Sequence, residues 1–485
     1  MQGSLIVRLI SFHNSEERDD RQIVETRRLT DVVESMPVEV TDKSQVSRIW
    51  LTMFAACCLL LAVSSDAFAT QELADTDEAA PAKPAGAAPA ANNDPATAER
   101  LKQQQTSNDL RRLQKSLLTP EIVAGFTSDN RVYRGLLRTG VRRGNARELE
   151  ILRTCLKYRA YSLSDPDVQK DPGLFEAAFK NLLRDLNSAG TQILNAGDKQ
   201  RYRELLCGEL LPFINELLQN NLYSRSAALE LLLDFGVAPA KSNRGIIMYD
   251  QVDDVLLSVM KDAAQPDVVR TRAANVCKKY LQKADVTPQV QITLASALIF
   301  ELERPFTAVA YQNTLLSALD EIDTPRALVG QKQAIVMLAA ATIIQDNTRD
   351  ILIRCRAARV LGRCGFDSSI DFDVLAWKVA ELTLETGVRY NQAKNKKVPK
   401  WQLCGWHLYL AFHHEKKKET EKGFLNRADK SKLVRSGYEA SLPVMVEIMR
   451  QGGKVAATSL NALNNWEGKN KPANLKFDPA SPPLK

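Results

Sequence analysis

Asp267-Val-Val-Arg-Thr-Arg-Ala-Ala-Asn-Val276 and Asp350-Ile-Leu-Ile-Arg-Cys-Arg-Ala-Ala-Arg-Val-Leu-Gly362 are two renderings of one pattern. Val269-Arg270-x-x-Ala273-Ala274 in the first matches Ile353-Arg354-x-x-Ala357-Ala358 in the second, 84 residues on. That interval holds two units of about 42 residues, within the range of helical-pair repeats. Another helical stretch, Tyr311 to Leu319, lies halfway between. Apolar residues at helical spacing over about 251–263, 287–303, 326–345 and 370–386 alternate with these stretches, so each unit is helix, turn, helix. Ser226-Ala227-Ala228-Leu229 is a weaker copy that ends in Gly236.

The same texture extends outward. Leu110, Leu113 and Leu117 open it, Leu183, Leu186 and Ile193 continue it, and Leu205, Leu206, Leu210, Leu211 and Ile214 follow. Period-two runs of β-branched residues are nearly absent, so almost everything from 107 to 465 is expected as helix or short turn. Thr119-Pro120-Glu121, Thr287-Pro288 and Thr324-Pro325 each have the makings of a helix start: a capping hydroxyl, then a proline whose fixed φ suits the first turn. One helical pair leaves an apolar face bare, whereas stacked neighbours cover it, and alanines let the helices approach closely. The fold class that follows is all-α, an α-solenoid of stacked antiparallel helix pairs.

These segments resemble the second helix of a HEAT repeat, where an acidic residue precedes a β-branched–Arg pair and then small alanines. The resemblance covers about 250–365. It implies an armadillo-type fold and protein–protein interaction as the generic role.

The chain has 485 residues, 45% hydrophobic, 25% charged and 6% aromatic, which fits a globular protein and excludes disordered and multi-span membrane classes. Near its start, Trp50 to Val63 is an apolar run, preceded by Arg48 and followed by Ala67-Phe68-Ala69. Fourteen residues are too few to span a ~30 Å hydrocarbon layer comfortably as a helix. Residues 48–69 are therefore expected to be a signal peptide cut between Ala69 and Thr70, or a signal anchor if left uncut. Residues 1–47 form a charged extension too long for an ordinary signal, as a start assigned ahead of Met36 would produce. Residues 70–105, rich in Ala and Pro, are expected to be a disordered linker. The helical repeat domain is placed at 106–390, a basic helical cap at 391–466 and a disordered tail at 467–485. Removing residues 1–69 takes away 7 Lys/Arg and 10 Asp/Glu, leaving a net charge of +10 that can favour anionic partners.

Chemistry-bearing patterns are scarce. Only four histidines occur, and no G-x-S-x-G, G-x-x-x-x-G-K-[ST] or H-E-x-x-H motif is present. Cys404-x-x-His407 with His413-His414 has metal-ligand residue types but no second pair to complete a tetrahedral site. Gly140-Val-Arg-Arg-Gly144 is too short to cradle a phosphate. Cys155, Cys207, Cys277, Cys355, Cys364 and Cys404 lie in helical apolar patterns and suit buried free thiols, although their even number and an oxidising compartment leave disulfides open. No catalytic, cofactor or metal residues are assigned.

Two basic features could bind a partner. Arg270, Arg272, Arg354, Arg356, Arg359 and Arg363 could line an anion-binding stripe, or pair structurally with Asp267, Asp350 or a carboxylate of the next repeat. Residues 394–435 hold 12 Lys/Arg against four acids. There Lys396, Lys397, Lys400, Trp401, Trp406, Lys416, Lys417 and Lys418 could form a basic–aromatic patch, or a cap with buried aromatics and a solvated lysine face. The expectation is an exported, non-catalytic interaction or scaffold protein of the periplasm, cell envelope or extracellular space. It would bind a protein or an anionic envelope polymer, not nucleic acid, and would touch membrane only if residues 48–66 stay as an anchor. The alternatives are a secreted helical-toroid enzyme acting on polysaccharide, which needs paired carboxylates in an aromatic-lined cleft, and a membrane-anchored assembly factor.

Overall fold

Polar caps start most of the helices. Asn145, Asn195, Asn221 and Ser431 each accept a hydrogen bond from the backbone N–H three residues on, and Asp171 and Asp371 each accept two. The computed structural model describes residues 116–240, 245–304, 308–326, 334–414, 422–428 and 431–484. Helices dominate them: α1 Pro120–Thr139, α2 Ala146–Tyr161, α3 Pro166–Lys170, α4 Pro172–Ser188, α5 Ala196–Leu217, α6 Leu222–Leu231, α7 Val252–Lys261, α8 Asp267–Lys283 and α9 Pro288–Glu303. They continue with α10 Val309–Leu319, α11 Ile335–Gln345, α12 Ile351–Arg363, α13 Phe372–Gln392, α14 Pro399–Phe412, α15 Phe424–Arg427, α16 Lys432–Arg450 and α17 Ala457–Lys469. The chain is mostly helical, in keeping with an all-α class.

Of the three Thr-Pro starts, Thr119-Pro120 and Thr287-Pro288 open α1 and α9, the second with the threonine hydroxyl accepting from Val290 N–H. No helix begins at the described residues Thr324, Pro325 and Arg326. The Thr324 amide and hydroxyl are taken by Gln291 Oε1, at 3.0 and 2.9 Å, and the following described helix begins at Ile335. Among the described residues, one hairpin departs from the all-helix expectation. β1 Gly236–Pro239 and β2 Ile246–Met248 form an antiparallel hairpin between α6 and α7, with Val237 and Met248 buried.

Contacts run in order along the sequence. α6 packs on α8, α8 on α10, α10 on α12, α12 on α14 and α14 on α16, while α7 packs on α9 and α9 on α11. Small residues set the closest of these seams. At Gly362 of α12 an added Cβ would lie 2.2 Å from Ala411 O of α14, so no larger residue fits without prising the helices apart. Leucine, isoleucine, valine and alanine side chains fill the space between, with Ala273, Ala274, Ala357 and Ala358 at 0% exposure.

The C-terminal segment differs from its expected disorder. Past α17, Phe477 is fully buried, its carbonyl accepts from Asp371 N–H at 2.8 Å, and Leu484 N–H donates to Leu475 O at 2.9 Å. Composition suggested fraying because the stretch is polar and proline-rich, but two apolar side chains, Phe477 and Leu484, are enough to dock it. The charged extension, the signal segment with Ala67, Ala69 and Thr70, the linker, and Leu110 and Leu113 lie outside the described residues.

Candidate functional site

The arginines of the two matching segments point inward. Arg270 of α8 bonds Asp267 on its own first turn and Glu301 Oε2 of α9 at 3.0 Å. Arg354 of α12 lays both terminal nitrogens on Glu385 of α13, each at 2.6 Å, and its Nε on Ile344 O of α11 at 2.8 Å. Such a two-pronged guanidinium–carboxylate pair fixes orientation as well as charge. Both partners lie 31 residues downstream.

Three more arginines of α12 converge on one acid. Asp320, just past α10, is fully buried and accepts Arg356 Nη2 at 2.6 Å and Arg359 Nε at 3.0 Å, with Arg363 Nε 4.0 Å away. Burial alone would push this carboxyl up. The guanidinium groups of Arg356, Arg359 and Arg363 and the Lys278 ammonium outweigh it and hold the group below the ordinary aspartate range. Beside them His407 of α14 sits with Nδ1 3.5 Å from Arg356 Nη1, and burial together with the Arg356 and Arg359 charges drives its pKa well down.

This placement changes the meaning of the proposed stripe. Arg270, Arg354, Arg356, Arg359 and Arg363 are buried, and Arg272 is half-buried on Glu230 at 2.9 Å. The helices that carry them are covered on both sides by neighbours, so their charges meet carboxylates instead of solvent. Of the two readings, structural pairing is the one whose geometry is present, with Glu301, Glu385 and Asp320 as partners that the sequence did not single out. Asp350, expected as a partner for Arg354, instead caps α12 through Leu352 N–H and takes Lys400 at 2.7 Å.

The basic–aromatic patch also separates into parts. Trp401 and Trp406 are buried; Trp401 meets Tyr390 edge-on and Trp406 stacks on Tyr409. Lys396 and Lys400 are half-buried, and Lys397 is exposed. Lys416, Lys417 and Lys418 lie outside the described residues. The aromatics are interior packing and not rings offered between lysines. All six body cysteines are buried and free.

A groove passes the turn between α11 and α12. One part, about 870 Å³, is walled by Arg304, Asp346, Arg349, Asp350, Lys400 and Trp401; a second, about 710 Å³, by Lys378, Glu381, Glu385 and Arg389. Its charges are largely spent on each other: Arg349 on Asp346, Lys400 on Asp350, Arg389 on Glu385. Among the described residues no group of three or more His, Cys, Asp or Glu side chains could hold a metal, and no helix is long and apolar enough to cross a membrane.

A more open feature lies at one end of α6, α8 and α9. Tyr223 and Val268, each the second residue of its helix, are 59% and 57% exposed. Phe300, 56% exposed, adjoins Glu301, which Arg270 grips two residues after Val268. Contacts from Arg225 to Gln265, Glu230 to Arg272 and Asp234 to Lys283 show α6 and α8 packed parallel, and the Arg270–Glu301 bond brings the last turn of α9 to the first turn of α8, so these three residues stand at one shared end of the helices, a rim. Single exposed apolar residues are ordinary; three at the same end of neighbouring helices are the feature that sequence periodicity did not flag. No family model, no curated protein and no solved structure matches the chain.

Proposed function

We propose that this chain is an exported, non-catalytic scaffold whose helix pairs stack as HEAT-like repeats of an α-solenoid and bind a protein partner along the rim of Tyr223, Val268 and Phe300. The recurrence of the Arg–Glu link supports the repeat reading. Arg270–Glu301 and Arg354–Glu385 are the same contact displaced by two units, and α6, α8, α10, α12 and α14 follow one another in contact order. Each link ties one pair to the next, as a stack of units without self-sufficient cores requires. The exposed rim carries the binding proposal, since large apolar side chains held out on rigid helices give contact area at little ordering cost.

The test uses the full chain and a Tyr223→Ser/Val268→Asp/Phe300→Asp variant. These sites are exposed, so the variant keeps the native helical spectrum and unfolding midpoint. The expected result is a saturable set of envelope proteins bound by the native chain and lost from the variant. Identical binding by both chains would sink the rim, and polysaccharide turnover by the purified chain would sink the non-catalytic reading. N-terminal sequencing of the exported material checks the cleavage proposal: a first residue of Thr70 supports it.

A further inference from the structure

α12 and α14 run side by side in parallel register. Gly362 faces Ala411, 49 residues on, closely enough that a Cβ on the glycine would come within 2.8 Å of Ala411 Cα. Two turns back on each helix stand Cys355 and Cys404, again 49 residues apart and on the same seam. Both residues are at 0% exposure, and after burial the neighbouring Cys355 is the next influence that raises the Cys404 thiol pKa. Cys355 Sγ also lies 3.5 Å from Thr386 Oγ1 of α13, which pins the cysteine side chain at the meeting of three helices. A disulfide needs Cβ atoms about 3.8 Å apart, which calls for closely approaching backbones such as those of Gly362 and Ala411 on this same seam. Cys364 ends the same helix as Cys355, nine residues on and about 13 Å along the axis, too far for a bridge between them.

We propose that Cys355 and Cys404 form a disulfide that fastens α12 to α14 when the chain folds in the presence of a low-molecular-weight disulfide. One protein thiolate attacks a sulfur of the small disulfide and expels one small thiolate. The second protein thiolate attacks the protein sulfur of the mixed disulfide and expels the other small thiol. The protein loses two electrons and two protons, and the small disulfide gains both as two thiols. Burial pushes the Cys404 thiol well above its ordinary range, so exchange in the closed seam is slow and the bond is made while the helices assemble. This inference stands whether or not the rim binds a partner.

The experiment refolds the full chain in reduced and oxidised glutathione, alkylates it in denaturant and digests it without reductant. The expected product is one linked peptide joining Cys355 and Cys404, with the urea midpoint of the oxidised chain above that of the reduced chain. Cys355→Ala and Cys404→Ala each abolish that shift. Recovery of both cysteines alkylated, a link from either to another cysteine, or equal midpoints for the two redox forms overturns the proposal. The peptide map of the unsubstituted chain decides the matter even if a variant fails to fold.

Discussion

Arg354 spans from α12 to Glu385 of α13 by two bonds of 2.6 Å, joining two helices that follow one another in the sequence. Arg354 is 3% exposed while its partner keeps some water and a second cation, Arg389. Arg354→Ala takes the guanidinium donor from the Ile344 carbonyl and leaves Glu385 with Arg389 as its cation. Breaking a buried pair costs about 3–5 kcal/mol; the residual solvation of Glu385 places this one at about 3 kcal/mol. Arg354→Lys loses the fork and recovers less than half. Urea midpoints for the two variants check the order, and equal stability of the alanine variant and the native chain would refute the link.

Acid sensitivity begins with histidine. Burial, and then the Arg356 and Arg359 charges, drives His407 well below the usual histidine value. Burial and then His414 lower His413, stacked on Tyr409, to about 4. The unfolded chain takes up these protons near pH 6.5 and the folded chain does not, so stability falls as pH drops below about 6.5. The His413 share is fully lost near pH 4. Asp320 acts lower still: its depressed carboxyl contributes stability above the ordinary aspartate range and loses it as pH falls through the folded value. His413→Phe keeps the ring stack and removes the proton, so its unfolding free energy plotted against pH is flatter between 6.5 and 4. An unchanged slope would show that His413 titrates normally.

Gly362→Ala tests the tightest seam. The new Cβ meets backbone at Ala411 and not a flexible side-chain end, so relief requires moving a helix. Gly362 O also accepts Gly423 N–H at 2.7 Å, which ties the following segment to the same spot. The expected loss is at the upper end of the ~1–3 kcal/mol range for overpacking, read as a fall in the thermal midpoint. A midpoint within a degree of the native value would mean that α14 yields freely.

Local rules made the matching helices legible. Spacing of apolar residues gave α7 and α9 close to their observed bounds and the start of α13, which runs on to Gln392, six residues past the expected end, and Asp267 was visible as a partner of Arg270 because it lies one turn away. Glu301, Glu385 and Asp320 were not legible, since a partner on another helix depends on how helices are laid together and no local period encodes that. The same limit explains the arginines. In one dimension Arg356, Arg359 and Arg363 follow a helical stripe, and only the neighbouring helix turns that stripe inward onto Asp320. The exposed rim arises where α6, α8 and α9 end together, which is again a matter of packing.

The C-terminal strap supplies the last prediction. Phe477 is fully buried, and beside it Asp478 takes Arg326 Nη2 at 2.9 Å and Ala334 N–H at 3.4 Å. Arg326 has Asp367 as a second acid, so Asp478→Asn leaves that cation paired. Phe477→Ala removes the apolar anchor, at a cost of about 3 kcal/mol by analogy with other buried phenylalanines. That loss is expected as local opening of the strap before global unfolding. The amide of Asp371, which donates to Phe477 O, reports the opening directly. Its hydrogen exchange is expected to speed up about 100-fold in Phe477→Ala, with a smaller change in Asp478→Asn. Unaltered Asp371 exchange in Phe477→Ala would mean that the ring does not hold the strap, and the buried placement of this segment would need another cause.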